Sequence, residues 1–352
     1  MLARCAVALT ILAASSLGLA GCGEATDSSP SRPLVITGEP AFDTQEVAWA
    51  HLFELHYGSQ TFTLQQAIRG LEVSDYGFFL DLAEDPEDLF SDSRWAFFDG
   101  AEVAFLGSRI DNLAVSPDGR YVGWIDRAGP WRPAGRIAEV VVVDLSTGQQ
   151  IFANSEGMGG EAGDDLGDRY EELQPDFLGF DADSTHAYWH NASGPGERMR
   201  WELGTDTVER AETSDAQDEP RPVGIVVNAY AGARHVLSPD AVGLGYPNWS
   251  PSGAYVADLS DPARTIVYSA DTMRRLRVEF GSRAQYFGGW LPGDRFYVVT
   301  TAKRIEGYSL TGPDPTRGRV VVCSLPAGTC RPGAKVPGLR DLVVPHRQAL
   351  LG

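Results

Sequence analysis

The chain has 352 residues, 43% of them hydrophobic, with 39 Gly and 22 Pro. That is enough apolar material for one large β domain, and too little Gly and Pro for a disordered chain. The formal charge of −19 repels nucleic acid and anionic headgroups, so neither is an expected partner of the folded surface.

The N-terminus opens MLARCAVALTILAASSLGLAGC. Arg4 gives a short positive start, and Cys5 to Ala20 is an apolar run ending in small residues. The run is short for a membrane span and has the layout of an export signal. Leu19-Ala20-Gly21-Cys22 resembles the lipobox of bacterial lipoproteins. That resemblance implies a diacylglycerol on the Cys22 thiol, cleavage of residues 1–21 and a membrane-anchored protein facing the extracytoplasmic side. Residues 22–40 are polar, Ser- and Pro-bearing and unpatterned, and read as a tether. No later apolar run is long enough to cross a bilayer.

The folded part is expected over 41–345, with 346–352 as a tail. Glu46 to Leu64 predicts a hairpin turning at Gly58-Ser59. Leu64 to Leu71 has the one weak helical pattern. Leu71 to Gly107 carries strand runs around an Asp99-Gly100 turn, separated by the acidic loop AEDPEDLFSDS. Four similar segments follow: LAVSPDGRYVGWI from Leu113, GFDADSTHAYWH from Gly179, NWSPSGAYVADL from Asn248 and GWLPGDRFYVV from Gly289. Each has an apolar lead-in, a tight turn and an alternating strand. Pro117, Pro251 and Pro292 preset a turn angle, and Gly119, Gly253 and Gly293 close the turn. A second hairpin follows each: Val140 to Phe152, Met199 to Arg210, Thr265 to Val278 and Val320 to Gly333. Pro222 to Leu237 reads as one more strand pair. Two polar, acidic insertions, Asn154 to Gln174 and Ala211 to Arg221, are expected as loops.

Two hairpins in succession make a four-stranded antiparallel unit. Such a sheet cannot bury both faces alone, so the units must stack. The SPDG turn, the V-x-D/E-L strand and the T-G turn resemble the WD40-like repeats of TolB-type β-propellers. The resemblance implies an all-β propeller, seven blades or alternatively six, closed by an N-terminal strand pairing with a C-terminal one. It says almost nothing about activity.

Several groups invite a chemical reading. Glu161, Asp164, Asp165, Asp168, Glu171 and Glu172 cluster in the first insertion; Asp164, Asp165 and Asp168 are the candidates for a hard cation, although the spacing is not that of an EF-hand and a solvated loop is the plainer reading. His186, Tyr188 and His190 share a strand face, without a third ligand to complete a metal site. His51 and His56 fall on opposite faces if they share one strand. Neither a nucleophile elbow nor a phosphate loop is present, so no catalytic residue, metal or other cofactor is assigned. A carboxylate pair cannot be picked from so many acids. Trp124, Trp189, Trp249 and Trp290 recur beside the repeat turns and are expected to pack between blades. Trp131, in the loop AGPWRPAG, is the candidate contact for a protein or glycan, the alternative being a ring packed under its neighbouring prolines.

Cys323 and Cys330 flank a turn containing Pro326 and Gly328, lie about equally far from its centre, and follow a strand run. Opposite positions of an antiparallel pair bring Cβ atoms close enough for a disulfide, which an exported protein can form. The sequence thus reads as a monomeric, membrane-tethered propeller that binds a protein or glycan without catalysis. The alternative is an envelope carbohydrate-active hydrolase or lyase using carboxylates at one mouth of the ring.

Overall fold

A computed structural model of the chain describes residues 39–43, 46–85, 93–107, 109–132, 135–159, 165–173, 175–181, 184–192, 198–211, 248–250, 252, 254–258, 264–272, 274–281, 284–291, 293–302, 317–337 and 342–345. These all belong to one compact unit, Pro33–Gly352. The leader, Cys22, Asp164 and the strand pair expected at 222–237 lie outside the described residues.

The first sheet contains β1 (Ala48–His51), β2 (Glu54–Tyr57) and β3 (Gln60–Thr63). The second holds β4 (Ile68–Ser74), β5 (Gly77–Ala83), β6 (Ser93–Phe98) and β7 (Val103–Gly107). The third runs β8 (Ile110–Val115), β9 (Tyr121–Asp126), then, after a small hairpin of β10 (Trp131–Arg132) and β11 (Gly135–Arg136), β12 (Glu139–Asp144) and β13 (Gln149–Asn154). Helix α1 (Leu166–Leu173) precedes the fourth sheet, β14 (Asp176–Phe180), β15 (His186–His190), β16 (Arg198–Glu202) and β17 (Val208–Arg210). The fifth has β18 (Asn248–Trp249), β19 (Tyr255–Asp258) and β20 (Ile266–Ser269), extended by an antiparallel bridge from Tyr268 to Arg275. The sixth comprises β21 (Ala284–Leu291), β22 (Arg295–Thr301), β23 (Gly318–Ser324) and β24 (Thr329–Val336). Last comes β25 (Leu342–Val343), which pairs antiparallel with β1 and completes the first sheet in the order β25-β1-β2-β3.

Six antiparallel sheets of three or four strands therefore stand among the described residues, beside the two-stranded β10–β11 sheet, each ordered strand by neighbouring strand. Their hydrophobic clusters lie between sheets rather than within one. One cluster joins Leu55 and Ala50 to Phe78, Leu80 and Leu82. Others join Phe79 to Val141 and Val143, Val140 and Val142 to Trp189 and Trp201, Val267 to Phe296 and Val298, and Tyr297 and Val299 to Trp49 and Leu342. Alternation within single strands explains this. In β12, Val140 and Val142 face one neighbour while Val141 and Val143 face the other. A strand apolar on both faces needs a sheet on each side, and this blade-on-blade stacking defines a β-propeller.

First strands of successive sheets lie side by side: β25 by β4, β4 by β8, β8 by β14, and β18 by β21. They line the axis. Close approach matters there: a Cβ on Gly123 of β9 would stand 2.2 Å from the Phe177 ring of the next sheet.

The expected repeats at Leu113, Gly179, Asn248 and Gly289 form as paired strands, as do the second hairpins from Val140, Met199 and Val320. Of the one expected from Thr265 to Val278, the described residues form β20 and a single bridge from Tyr268 to Arg275. Three details differ from expectation. Glu46 to Leu64 makes three strands rather than one hairpin, because Leu52 adopts a left-handed φ of 53° and reverses the chain. Ile68–Ser74 is strand, not helix: Ile68, Leu71 and Val73 pack into the cluster between the first and second sheets, and Glu72 and Ser74 are buried as well. The acidic insertion is not all loop, since it contains α1. Leu166 and Tyr170, one helical turn apart, anchor α1 in the core, and that spacing outweighs the polar composition.

Candidate functional site

Antiparallel order places the turns β8–β9 and β12–β13 at one end of a sheet. The β9–β12 and β13–β14 connections then emerge at the other end, which we call the mouth. On the third and fourth sheets this mouth carries the β10–β11 hairpin and α1.

The hairpin is built locally. Asp126 ends β9, and its side chain accepts the Ala128 N–H at 2.7 Å. The Arg127 N–H donates to the Arg109 carbonyl at 2.9 Å, and the Ile137 N–H to Pro130 at 3.0 Å. Gly129 permits the close crossing, for a Cβ there would lie 2.3 Å from the Ile137 carbonyl oxygen. The Arg136 guanidinium donates to the carbonyls of Ala128 and Gly129 at 2.9 and 3.3 Å. It lies over the Trp131 ring, 5.5 Å from its centroid. Trp131 is 71% exposed. The ring therefore is not packed beneath Pro130 as the alternative reading had it; Arg136 supports it instead.

Helix α1 braces the hairpin. Asp165 caps it, accepting the Gly167 and Asp168 N–H groups at 3.1 and 3.4 Å. Tyr170 is buried; its hydroxyl donates to the Met158 carbonyl at 2.8 Å and accepts the Ala138 N–H at 2.7 Å. Of the cation candidates, Asp165 is thus spent on the helix backbone and Asp168 sits in its first turn. Among the described residues no three metal-binding side chains come together.

A row of ionisable groups crosses the fourth sheet below the hairpin. Asp176, His190 and Arg198 are opposite one another on β14, β15 and β16. The Arg198 Nε donates to His190 Nε2 at 3.3 Å, and burial followed by the Arg198 charge lowers the His190 pKa. Asp176 is pushed up to about 6 by burial and by the negative charge of Asp111 on β8, against a hydrogen bond from Asn112. Asp111 in turn pairs with Arg127, whose guanidinium stands 5.9 Å from the Tyr170 ring centroid. On the third sheet, Asp126 and Glu139 are cross-strand partners. Burial raises both, and the Asp126 charge raises Glu139 further.

The histidine pattern separates in space. His186 pairs with Asp181 at 2.7 Å at the far end of β15, Tyr188 is buried, and only His190 reaches the mouth. His51 and His56 lie on different strands, His56 stacked on Trp49 at 3.7 Å. Trp124 and Trp189 pack between sheets as expected, and Trp290 packs against the cluster of the fifth and sixth sheets. Sequence reasoning missed Asp111, Asp176 and Arg136. Only the Gly-Pro and Pro-Ala-Gly punctuation around Trp131 marked a hairpin whose far strand would carry Arg136.

No protein-family model matches the chain, and no curated protein is similar to it in sequence. Solved structures do match. A putative TolB from Agrobacterium tumefaciens shares 9% identity over 83% of this chain and 89% of that one, with a TM-score of 0.39. The β-propeller domain of the Trilobed protease from Pyrococcus furiosus shares 12% identity over 78% and 88%, with a TM-score of 0.42. The propeller architecture is read from the sheets themselves.

Proposed function

We propose that this propeller is a lipid-anchored, extracytoplasmic binding module that holds a protein or glycan at the mouth of its third and fourth sheets. One observation carries the reading: Trp131 is 71% exposed on a hairpin whose geometry is fixed by Arg136, Gly129 and α1. A rigid aromatic anchor costs little entropy on binding. The lipobox-like leader supplies the address. Replacing Trp131 with Ala should abolish capture of the ligand by the purified full chain while leaving its thermal melt unchanged. Replacing Cys22 with Ala should move the protein out of the membrane fraction or leave it unprocessed. Retained capture, or a processed membrane-bound C22A form, refutes the respective half.

A second reading, an envelope hydrolase or lyase, is favoured by one feature. Asp176 and Asp111 come from neighbouring axial strands and meet at the same mouth in unequal environments, as acid and base partners do. Sugar release from a polysaccharide that Asp176→Asn eliminates would establish it; equal release by both forms would dismiss it.

A further inference from the structure

We propose that the ligand of this mouth is a neutral, polyhydroxylated glycan stacked on the free face of Trp131. The inference rests on the binding-module reading and names its ligand class.

Three observations carry it. First, the ring is a platform rather than a member of an apolar patch. The other exposed large apolar side chains among the described residues are Leu52, Val103, Phe105 and Ile151. Val103 and Phe105 lie on β7 and Ile151 on β13, outermost strands of their sheets, and Leu52 belongs to the first sheet. A protein hot spot needs surrounding contacts that exclude water, and among the described residues Trp131 has no such ring of exposed apolar neighbours.

Second, one face of the indole is covered by Arg136, which leaves the other for an apolar surface. A pyranose presents such a surface in its axial C–H bonds, and its polarised hydrogens complement the negative face of the ring.

Third, the surroundings carry both signs of charge. Arg132 is exposed on the hairpin, whereas Asp168, Glu171 and Glu172 are exposed on α1. The helix lies close by, as a Cβ on Gly135 would stand 3.9 Å from Leu166. A polyanion would meet these carboxylates and a net charge of −19; a polycation would meet the guanidinium groups. Hydroxyl groups both donate and accept, so they satisfy carboxylates and guanidinium groups alike.

The test titrates the purified full chain in detergent with cellohexaose, chitohexaose, mannohexaose, maltohexaose and polygalacturonate, followed by calorimetry and tryptophan fluorescence. At least one neutral hexaose should bind and shift the indole emission. Trp131→Ala should weaken that binding at least tenfold, and Trp131→Phe, which keeps a platform, by less. Arg136→Gln should weaken it several-fold through loss of the support. Thermal melts of the two Trp131 variants should match the parent, since the ring is exposed. Tighter binding of polygalacturonate than of every neutral hexaose overturns the neutral class. Hexaose binding that survives Trp131→Ala overturns the platform. No hexaose binding, together with Trp131-dependent binding of a glycan-free envelope protein, overturns the glycan but leaves the mouth as a binding site. Absence of any Trp131-dependent binding overturns both this inference and the reading beneath it.

Discussion

Burial and the Asp111 charge push the Asp176 carboxyl up to about 6 from 3.8, which makes it a pH-dependent weak point between the third and fourth sheets. The folded form keeps its proton to about pH 6, whereas the unfolded chain gives it up near 4. Stability is therefore lost as pH rises through that window, and the deficit is complete above it. Two units correspond to about 3 kcal/mol, reduced to about 2 because the group is partly solvated. Asp176→Asn removes the titration. In thermal melts it should stabilise the protein above about pH 7 and confer no such gain below about pH 4; a gain independent of pH would contradict the coupling. Asp111, which pairs with Arg127, and Asn112 act on the same group, and His190, bonded to Arg198, is its cross-strand partner, so the variant also reports whether their network holds. None of this was legible in the sequence. Asp176 is one of 48 acidic residues, and its partner comes from another sheet. Trp131 was legible, because Gly-Pro and Pro-Ala-Gly punctuation puts a large ring on a turn. Its exposure was not, since that depends on Arg136 reaching back across the hairpin.

At the scale of elements, the hairpins were readable because each joins two period-2 apolar runs through a turn with Pro or Gly chemistry. Helix α1 was obscured by the acids around it. Its signal, an Asp cap followed by Leu166 and Tyr170 four residues apart, is short and rests on tertiary contacts. Tyr170 joins the helix to two segments, so Tyr170→Phe should leave the buried Ala138 N–H without its acceptor. The expected cost is about 1–3 kcal/mol in denaturant unfolding, with loosening of the Trp131 hairpin seen as faster amide exchange at Ile137 and Ala138. An unchanged midpoint would show that α1 does not brace the hairpin. The disulfide is the clearer case. Cys323 and Cys330 are opposite in the β23–β24 register and bonded, as strand pattern and turn placement implied. The loop it closes is short, and replacing both Cys with Ser should cost about 2–3 kcal/mol in the chain-entropy model. Reduced and oxidised protein unfolding at the same denaturant concentration would count against that contribution.

The whole molecule depends on how the ring closes. Edge strands expose unpaired backbone, and a propeller removes that liability by pairing its two ends. Here β25 supplies the axial strand of a sheet whose other three strands come from the N-terminal end. It serves two interfaces at once. Val343 packs into the cluster between the first and second sheets, while Leu342 and Val344 pack into the cluster between the sixth and the first. All three are 2% exposed or less. Removing atoms here leaves a cavity and loosens the joint between the chain's ends. Leu342→Ala should therefore cost about 2–5 kcal/mol and broaden the denaturant transition, because the first sheet can then open before the rest. Ile151→Ala provides the contrast. That residue is 39% exposed on the outermost strand of the third sheet, and its truncation should shift stability by only about 0.5 kcal/mol. If the two variants unfold alike, the Leu342 side chain in the cluster between the sixth and first sheets is not what holds the joint, and the closure must rest on the β1–β25 backbone pairing.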